Sequence, residues 1–211
     1  MRMNPLVVLD ADSTTIQQEV IELIAEAAGT RELVANITDR AMRGELDFAQ
    51  SLRERVSTLA GTPATALDDV VKRVLPSKGL SELVAAIRER HGIVGVVSGG
   101  FHEVLDRVLP QYDIDIWTAN RLEIIDAKLT GKLYGPIVDA KAKAETLRHW
   151  STLTNIPLSQ SFAIGDGAND LQMMAIAGKS IAFNAKPIVR EAATYSVDEP
   201  DLAHVIQFLD S

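Results

Sequence analysis

Pro5-Leu6-Val7-Val8-Leu9-Asp10-Ala11-Asp12-Ser13-Thr14-Thr15 is the stretch on which the reading of this chain turns. Four apolar residues run straight into two carboxylates two positions apart. A short apolar run with β-branched members predicts a buried strand. Ser and Thr directly after it favour a turn and a helix start. Asp10 and Asp12 are therefore expected at the carboxyl end of a strand, the edge where open α/β sheets bind their ligands. In extended chain both side chains would share one face. Like charges repel and burial raises that cost, so such a pair signals a metal ion or a cationic group nearby. Taken alone, these residues also fit a strand followed by a solvated acidic turn.

Outward from this strand, Ile16, Val20, Leu23, Ile24, Ala27 and Ala28 recur at helical spacing up to Gly29, and Thr14 with Gln17 fits a capping box. Helical text continues over 31–44, 48–59 and 64–75, with breaks at Thr62-Pro63 and Leu75-Pro76. Residues 14–75 thus read as a helical insert without a convincing strand. Alternating elements then resume: a helix over 81–91, a strand over 93–97 ending in Ser98-Gly99-Gly100, and a helix from about Phe101 to Leu109. A strand over 114–118 and a ribbon or loop over 122–138 follow. Next come a helix over 140–150, a strand over 161–164 ending in Gly165-Asp166-Gly167-Ala168-Asn169-Asp170, a helix over 171–177, a strand over 180–183 and a last helix over 203–209. This order predicts a parallel sheet with helices on both faces.

Composition narrows the function. The chain has 211 residues, 46% of them apolar, with a formal net charge of -8. That balance argues against nucleic acid as a partner, since such binders carry a basic face, but leaves room for a small phosphorylated metabolite. With no cysteine, disulfides, thiolate metal sites and Cys nucleophiles are excluded. No secretory h-region or membrane-length apolar run is visible, so no membrane partner and a cytoplasmic location are expected.

Three predicted strands end in polar clusters, and a parallel sheet gathers its carboxyl ends at one edge. Ser98-Gly99-Gly100 before a helix offers a hydroxyl and backbone N–H groups to an anion, though an ordinary strand–helix turn has the same look. Asp166, Asn169 and Asp170 lie within five residues on a glycine-bent loop. Several carboxylates at one edge call for a divalent ion with oxygen ligands, and Mg²⁺ suits a site that also takes phosphate. Lys141 or Lys143 supplies a cation from the helix near Ala140. His91, His102, His149 and His204 show no metal-ligand spacing and read as surface residues, His102 least clearly because it follows the Ser98 turn.

Asp10-x-Asp12-x-Thr14, Ser98-Gly99-Gly100, a lysine, and Gly165-Asp166-Gly167-x-Asn169-Asp170 resemble, in order, the four motifs of the haloacid-dehalogenase-like phosphatases. Within them, the cap segment Phe48 to Val56, the run Val96 to Phe101, Ala119-Asn120-Arg121-Leu122 and Ala182 to Pro187 resemble the phosphoserine phosphatases. The similarity spans essentially the whole chain, with Ala11 where that family usually has Phe. The resemblance implies an α/β fold with a Rossmann-like parallel sheet core at 1–13 and 76–211, and a small helical cap at 14–75 inserted after the first strand. It implies Asp10 as nucleophile and Asp12 as general acid and base. Mg²⁺ would be held by the Asp10 side chain, the Asp12 backbone carbonyl and Asp166. Ser98, Gly99, Lys143 and Asn169 would hold the phosphate, Asp170 would orient Lys143, and Glu19 and Arg55 would recognise the ammonium and carboxylate of phosphoserine. Lys143 is preferred to Lys141 on its family position. Met42 and Phe48 would line the same pocket, and the cap would close about hinges near Thr14 and Pro76. A monomer or homodimer is expected. The alternatives are a phosphotransferase to an alcohol, a phosphatase of another small metabolite, and a non-catalytic phosphometabolite-binding module.

Overall fold

The computed structural model describes residues 4–210; residues 1–3 and 211, the outermost ends of the expected core, lie outside the described residues. Strand β1 (Leu6–Leu9) is buried along its whole length. Its alternating side chains separate two apolar layers, as the period of a strand requires. Val7 and Leu9 join the cluster that contains Val20, Ile24, Leu83 and Ile87. Leu6 and Val8 join the cluster of Leu147, Trp150 and Met173.

Four α-helices fill the segment up to residue 75: α1 (Val20–Ala28), α2 (Arg31–Met42), α3 (Phe48–Ser57) and α4 (Ala66–Arg73). Gly29 ends α1 in the left-handed conformation at φ 72, with its N–H donating to the Ala25 and Glu26 carbonyls. An Asp47–Gln50 capping box opens α3. Then come α5 (Leu80–Glu89), β2 (Ile93–Phe101), α6 (His102–Val108), and a hairpin of β3 (Ile116–Ile125) and β4 (Lys128–Tyr134). The chain ends with α7 (Ala140–Thr154), β5 (Ser161–Gly165), α8 (Leu171–Ile176), β6 (Lys179–Phe183), α9 (Pro187–Ala192) and β7 (Tyr195–Val197). The sheet has seven strands in the order β4-β3-β2-β1-β5-β6-β7, all neighbours parallel except β3 with β4. Leu6 pairs with Ile93 on one side and Ser161 on the other, so β1, β2 and β5 deliver their carboxyl ends side by side.

The structure corrects several sequence expectations. Thr14 and Gln17 do not cap α1. Ala11–Thr15 forms a wide turn, and α1 begins at Val20 with no side-chain cap. Non-local partners take these residues instead: Ile16 bridges Pro76, Gln17 donates from its backbone to Leu75 and from its side chain to Pro76, and Thr14 Oγ1 donates to Asp166. Strand β2 runs on through Ser98-Gly99-Gly100 rather than stopping at Val97. The last helix, Leu202–Phe208, is 3-10. The short α9 and β7 had no sequence expectation.

The hairpin extends past the carboxyl edge of the sheet. Residues 116–118 and Asn120 pair with β2, whereas the pairs of 121–125 are with β4. Beyond the edge it meets the loop after α3. Gly61 N–H donates to Leu129 O at 2.8 Å, Leu129 N–H to Thr62 O at 2.9 Å and Ala64 N–H to Ala127 O at 2.8 Å.

Candidate active site

Asp10 caps β1 and is pinned by its own N–H to Ile164 O of β5 at 2.9 Å. Its Oδ1 accepts from Ala11 N–H and pairs with Lys143 Nζ, each at 2.7 Å. Lys143 sits in the first turn of α7, which Asp139 caps through Ala142 N–H. It is fully buried, and its ammonium also bonds Asp170 Oδ1 at 2.8 Å. Lys141, two residues earlier, points to solvent toward Glu145. Asp170 is fixed a second time by Gly167 N–H at 3.1 Å, and a Cβ at Gly165 would collide with its carboxylate. That collision is a physical reason for the glycine at the end of β5.

Asp10 and Asp12 are each extended, but they do not continue one strand: Asp12 lies within the Ala11–Thr15 turn, and Ser13 follows it at φ 57. The turn still brings Asp12 into the same cleft as Asp10. Asp12 Oδ2 accepts from Val20 N–H at 3.4 Å, while Oδ1 is buried with no hydrogen-bond partner. Asp10, Asp166 and Asp170 each offer a carboxylate oxygen, all within 4.8 Å of one another, and the Asp12 side chain stands outside this group.

Electrostatics mark the cluster as short of positive charge. Burial, then Asp170, pushes the Asp10 carboxyl up to about 7 against the pull of Lys143. Burial and Asp170 raise Asp166 to about 6. Burial, Glu19 and Asp10 hold Asp12 well above the ordinary carboxyl range. Burial alone would lower Lys143, but Asp10 and Asp170 raise it, so it stays an ammonium. Three carboxylate oxygens within 4.8 Å of one another, with one lysine among them, leave negative charge that a small divalent cation with oxygen ligands would offset.

The cleft above this floor has a volume of about 540 Å³. It brings together Asp10, Asp12, Glu19, Met42, Phe48, Arg55, Gly99, Asp166 and Asn169 from the sequence-derived set. Ser98 and Lys143 lie buried beneath it. Glu19 accepts from Ser13 Oγ at 2.8 Å. Arg55 makes no ion pair among the described residues and donates only to Ser51 O at 3.4 Å. Its guanidinium is drawn below its usual range by burial and held up by Glu19, Asp12 and Glu22. Gly99 faces the Phe48 ring, where a Cβ would come within 3.0 Å of Cζ. Gly100 N–H is not open to a ligand as the sequence suggested, since Ser98 Oγ accepts it at 2.8 Å. The Ser98 hydroxyl hydrogen remains available to donate.

Sequence reading gave no role to three further residues. Asn120 is 1% exposed and joins two segments: its Nδ2 donates to Gly99 O and its Oδ1 accepts from Val138 N–H, both at 2.8 Å. Lys186 lines the cleft, with its N–H on Asp166 O. Ser51 lines the cleft beside Arg55. All three fall in runs that carry the family resemblance, which was their available signal. His102 is structural: Nδ1 pairs with Asp106 and Nε2 accepts Ala119 N–H at 3.1 Å, while the other three histidines are exposed.

Comparison with known proteins agrees with this geometry. The profile of the haloacid dehalogenase-like hydrolases matches residues 7–175. A phosphoserine phosphatase of Streptococcus thermophilus is 52% identical over 97% of this chain and 95% of its own length. A solved phospho-aspartyl intermediate analogue of phosphoserine phosphatase superposes with a TM-score of 0.91 at 39% identity, covering 97% of this chain and 98% of the other. A substrate-bound phosphoserine phosphatase complex gives the same score and identity, over 97% of each chain. Two acidic strand ends and a buried lysine, set in this strand order and matched along nearly the whole sequence, make the chain a member of the haloacid dehalogenase-like hydrolase family.

Proposed function

We propose that the chain hydrolyses O-phosphoserine to serine and phosphate, with residues 14–75 acting as a cap over a core of 1–13 and 76–211. The observation that carries this reading is the cleft itself. Lys143 bridges Asp10 and Asp170 at its floor, and an unpaired Arg55 and Glu19 stand on the helical wall. A substrate with a phosphate at one end and an ammonium and carboxylate at the other matches both ends.

In the proposed reaction an Asp10 carboxylate oxygen attacks phosphorus, forming an acyl-phosphate bond as the bond to the serine oxygen breaks. Covalent catalysis divides one difficult displacement into two easier ones. Asp12 donates its proton to the departing serine oxygen. It then takes a proton from the water that attacks the acyl phosphate, which restores Asp10 and releases phosphate. The raised affinity of Asp12 for its proton suits the first role. Lys143, the Ser98 hydroxyl and Gly99 N–H hold phosphoryl oxygens, with Asn169 beside them, while Asp170 keeps Lys143 in place. Mg²⁺, held by Asp10, Asp166 and the Asp12 backbone carbonyl, supplies charge neutralisation between an anionic nucleophile and an anionic substrate.

Arg55 tests the substrate assignment. Phosphoserine and O-phosphoethanolamine are both phosphoesters of a primary alcohol that bears an ammonium, and they differ by one carboxylate. Losing one partner of a desolvated charge pair costs about 2–5 kcal/mol, so Arg55→Ala should lower kcat/KM for phosphoserine by roughly thirtyfold to several thousandfold. Phosphoethanolamine should lose far less, and Arg55→Lys should restore part of the loss, because an ammonium lacks the planar fork. Equal losses on both substrates would remove the carboxylate from the proposal.

A further inference from the structure

Ser51 is 2% exposed, yet it lines the cleft. It lies on α3 one turn before Arg55, so the two share a helix face. Arg55 Nε reaches back to the Ser51 carbonyl. Serine and threonine inside helices commonly bond a carbonyl three or four residues back. Elsewhere this chain follows that habit: Ser57 donates to Glu54, Thr58 to Arg55, Thr38 to Val34, Thr152 to Arg148 and Thr154 to Trp150. The Ser51 hydroxyl makes no such bond, nor any other among the described residues. Its backbone is fixed by N–H to Asp47 O at 2.9 Å, directly after the capping box. The cleft therefore holds a positioned hydroxyl, on a nearly buried residue, that has no partner among the described residues.

Asp12 Oδ1 is the buried side-chain atom without a partner among the described residues, so the Ser51 hydroxyl, lacking a protein partner, is open to whatever occupies the cleft. The chemistry around Ser51 selects its missing partner. Of the charged residues within a turn of Ser51, Asp47 caps the helix and Glu54 pairs with Arg40, while Arg55 lines the cleft; Phe48 and Leu52 are apolar, and the Thr38 hydroxyl is already committed. A hydroxyl beside an unpaired guanidinium is arranged to donate to an anion. We infer that Ser51 is a specificity-determining residue whose hydroxyl donates a hydrogen bond to the same substrate carboxylate that Arg55 pairs with. This inference rests on the phosphoserine reading above and adds a second contact to that end of the substrate.

The test is Ser51→Ala, assayed on phosphoserine and O-phosphoethanolamine with Mg²⁺, alone and in an Arg55→Ala background. Alanine is a better helix former than serine and no hydrogen bond within the protein is lost, so the thermal midpoint should hold or rise. KM for phosphoserine should rise roughly tenfold, the scale of a hydrogen bond to a charged group, with kcat within about twofold. Kinetics on phosphoethanolamine should be unchanged. In the Arg55→Ala background the added loss should shrink to about twofold or less, since the two contacts hold one carboxylate. Unchanged KM for phosphoserine, equal losses on both substrates, or a lowered thermal midpoint would each overturn the assignment. A wild type that does not prefer phosphoserine over phosphoethanolamine would overturn the proposed function together with it. A wild-type preference that survives Ser51→Ala would overturn the role of Ser51 alone.

Discussion

At the floor of the cleft a single buried ammonium, Lys143, answers for Asp10 and Asp170, with Asp166 close by. The imbalance predicts how stability follows pH. Asp10 at about 7 and Asp166 at about 6 bind their protons more tightly than the unfolded value of 3.8. Their contribution to stability is complete below pH 3.8 and is lost as pH rises through 6 and 7. A bound divalent cation compensates the carboxylates once they ionise. The gain in thermal midpoint from Mg²⁺ over chelated protein should therefore grow between pH 5 and 8, and Asp166→Ala should remove most of it. Differential scanning calorimetry reads this directly, and a gain that is absent or flat with pH would contradict it. The carboxylates and Lys143 were legible in the sequence because they sit at strand and helix ends, where local pattern and family position coincide. Asn120, Lys186 and Ser51 escaped because each acquires its place through tertiary contact: Asn120 reaches the carbonyl of Gly99 on the neighbouring strand, a pairing no local spacing announces.

Among the elements, the β3–β4 hairpin changes the expected mechanics of the helical segment. Sequence reading placed hinges near Thr14 and Pro76. The structure ties the segment there through Ile16 and Pro76, and ties it again through three backbone hydrogen bonds between 61–64 and 127–129. A second anchor restrains rigid swinging of the whole segment about the neck. Gly131 marks the contact: at φ 80, its missing Cβ would lie 2.9 Å from Ala60 Cβ and 3.0 Å from Ser57 O. Gly135 has nearly the same conformation, φ 83, with nothing within 4 Å. Both glycine-to-alanine changes incur left-handed strain of about 1 kcal/mol or more, but only Gly131→Ala also crowds its neighbours, at a cost of roughly 1–3 kcal/mol. Urea unfolding should show Gly131→Ala less stable than Gly135→Ala by about that amount; equal stabilities would mean the anchor is slack. The strands and long helices were legible because burial imposes period 2 or 3.6 on them. The start of α1 was not, because bonds to residues 75–77, some sixty positions away, displaced a local capping box. Short α9 and β7 are too brief to carry a period.

Over the whole molecule, the parallel order β2-β1-β5 converts three separate strand ends into one site. That convergence was readable from alternation of elements alone, whereas the depth of the cleft depended on how the helical segment packs. The cleft is about 540 Å³, within the range of small-molecule sites. No helix among the described residues is long and apolar enough to cross a membrane. A cleft of this size, walled by α2 and α3 residues such as Met42 and Phe48, should exclude macromolecular substrates. Phosphate release from a folded phosphoprotein should stay at background under conditions where phosphoserine turns over fully. Comparable release from both would show that the cleft opens far wider than its anchors suggest.

Phosphoryl transfer through Asp10 is the claim on which the proposed reaction rests. Wild-type protein mixed with phosphoserine and Mg²⁺, quenched in acid during turnover and digested, should yield one phosphorylated peptide containing residues 4–15, with the phosphate on Asp10. Asp10→Asn should yield none and should lose turnover while keeping its fold. Phosphate mapped to Asp12, Asp166 or any other residue, or an Asp10→Asn protein of undiminished activity, would contradict the covalent route.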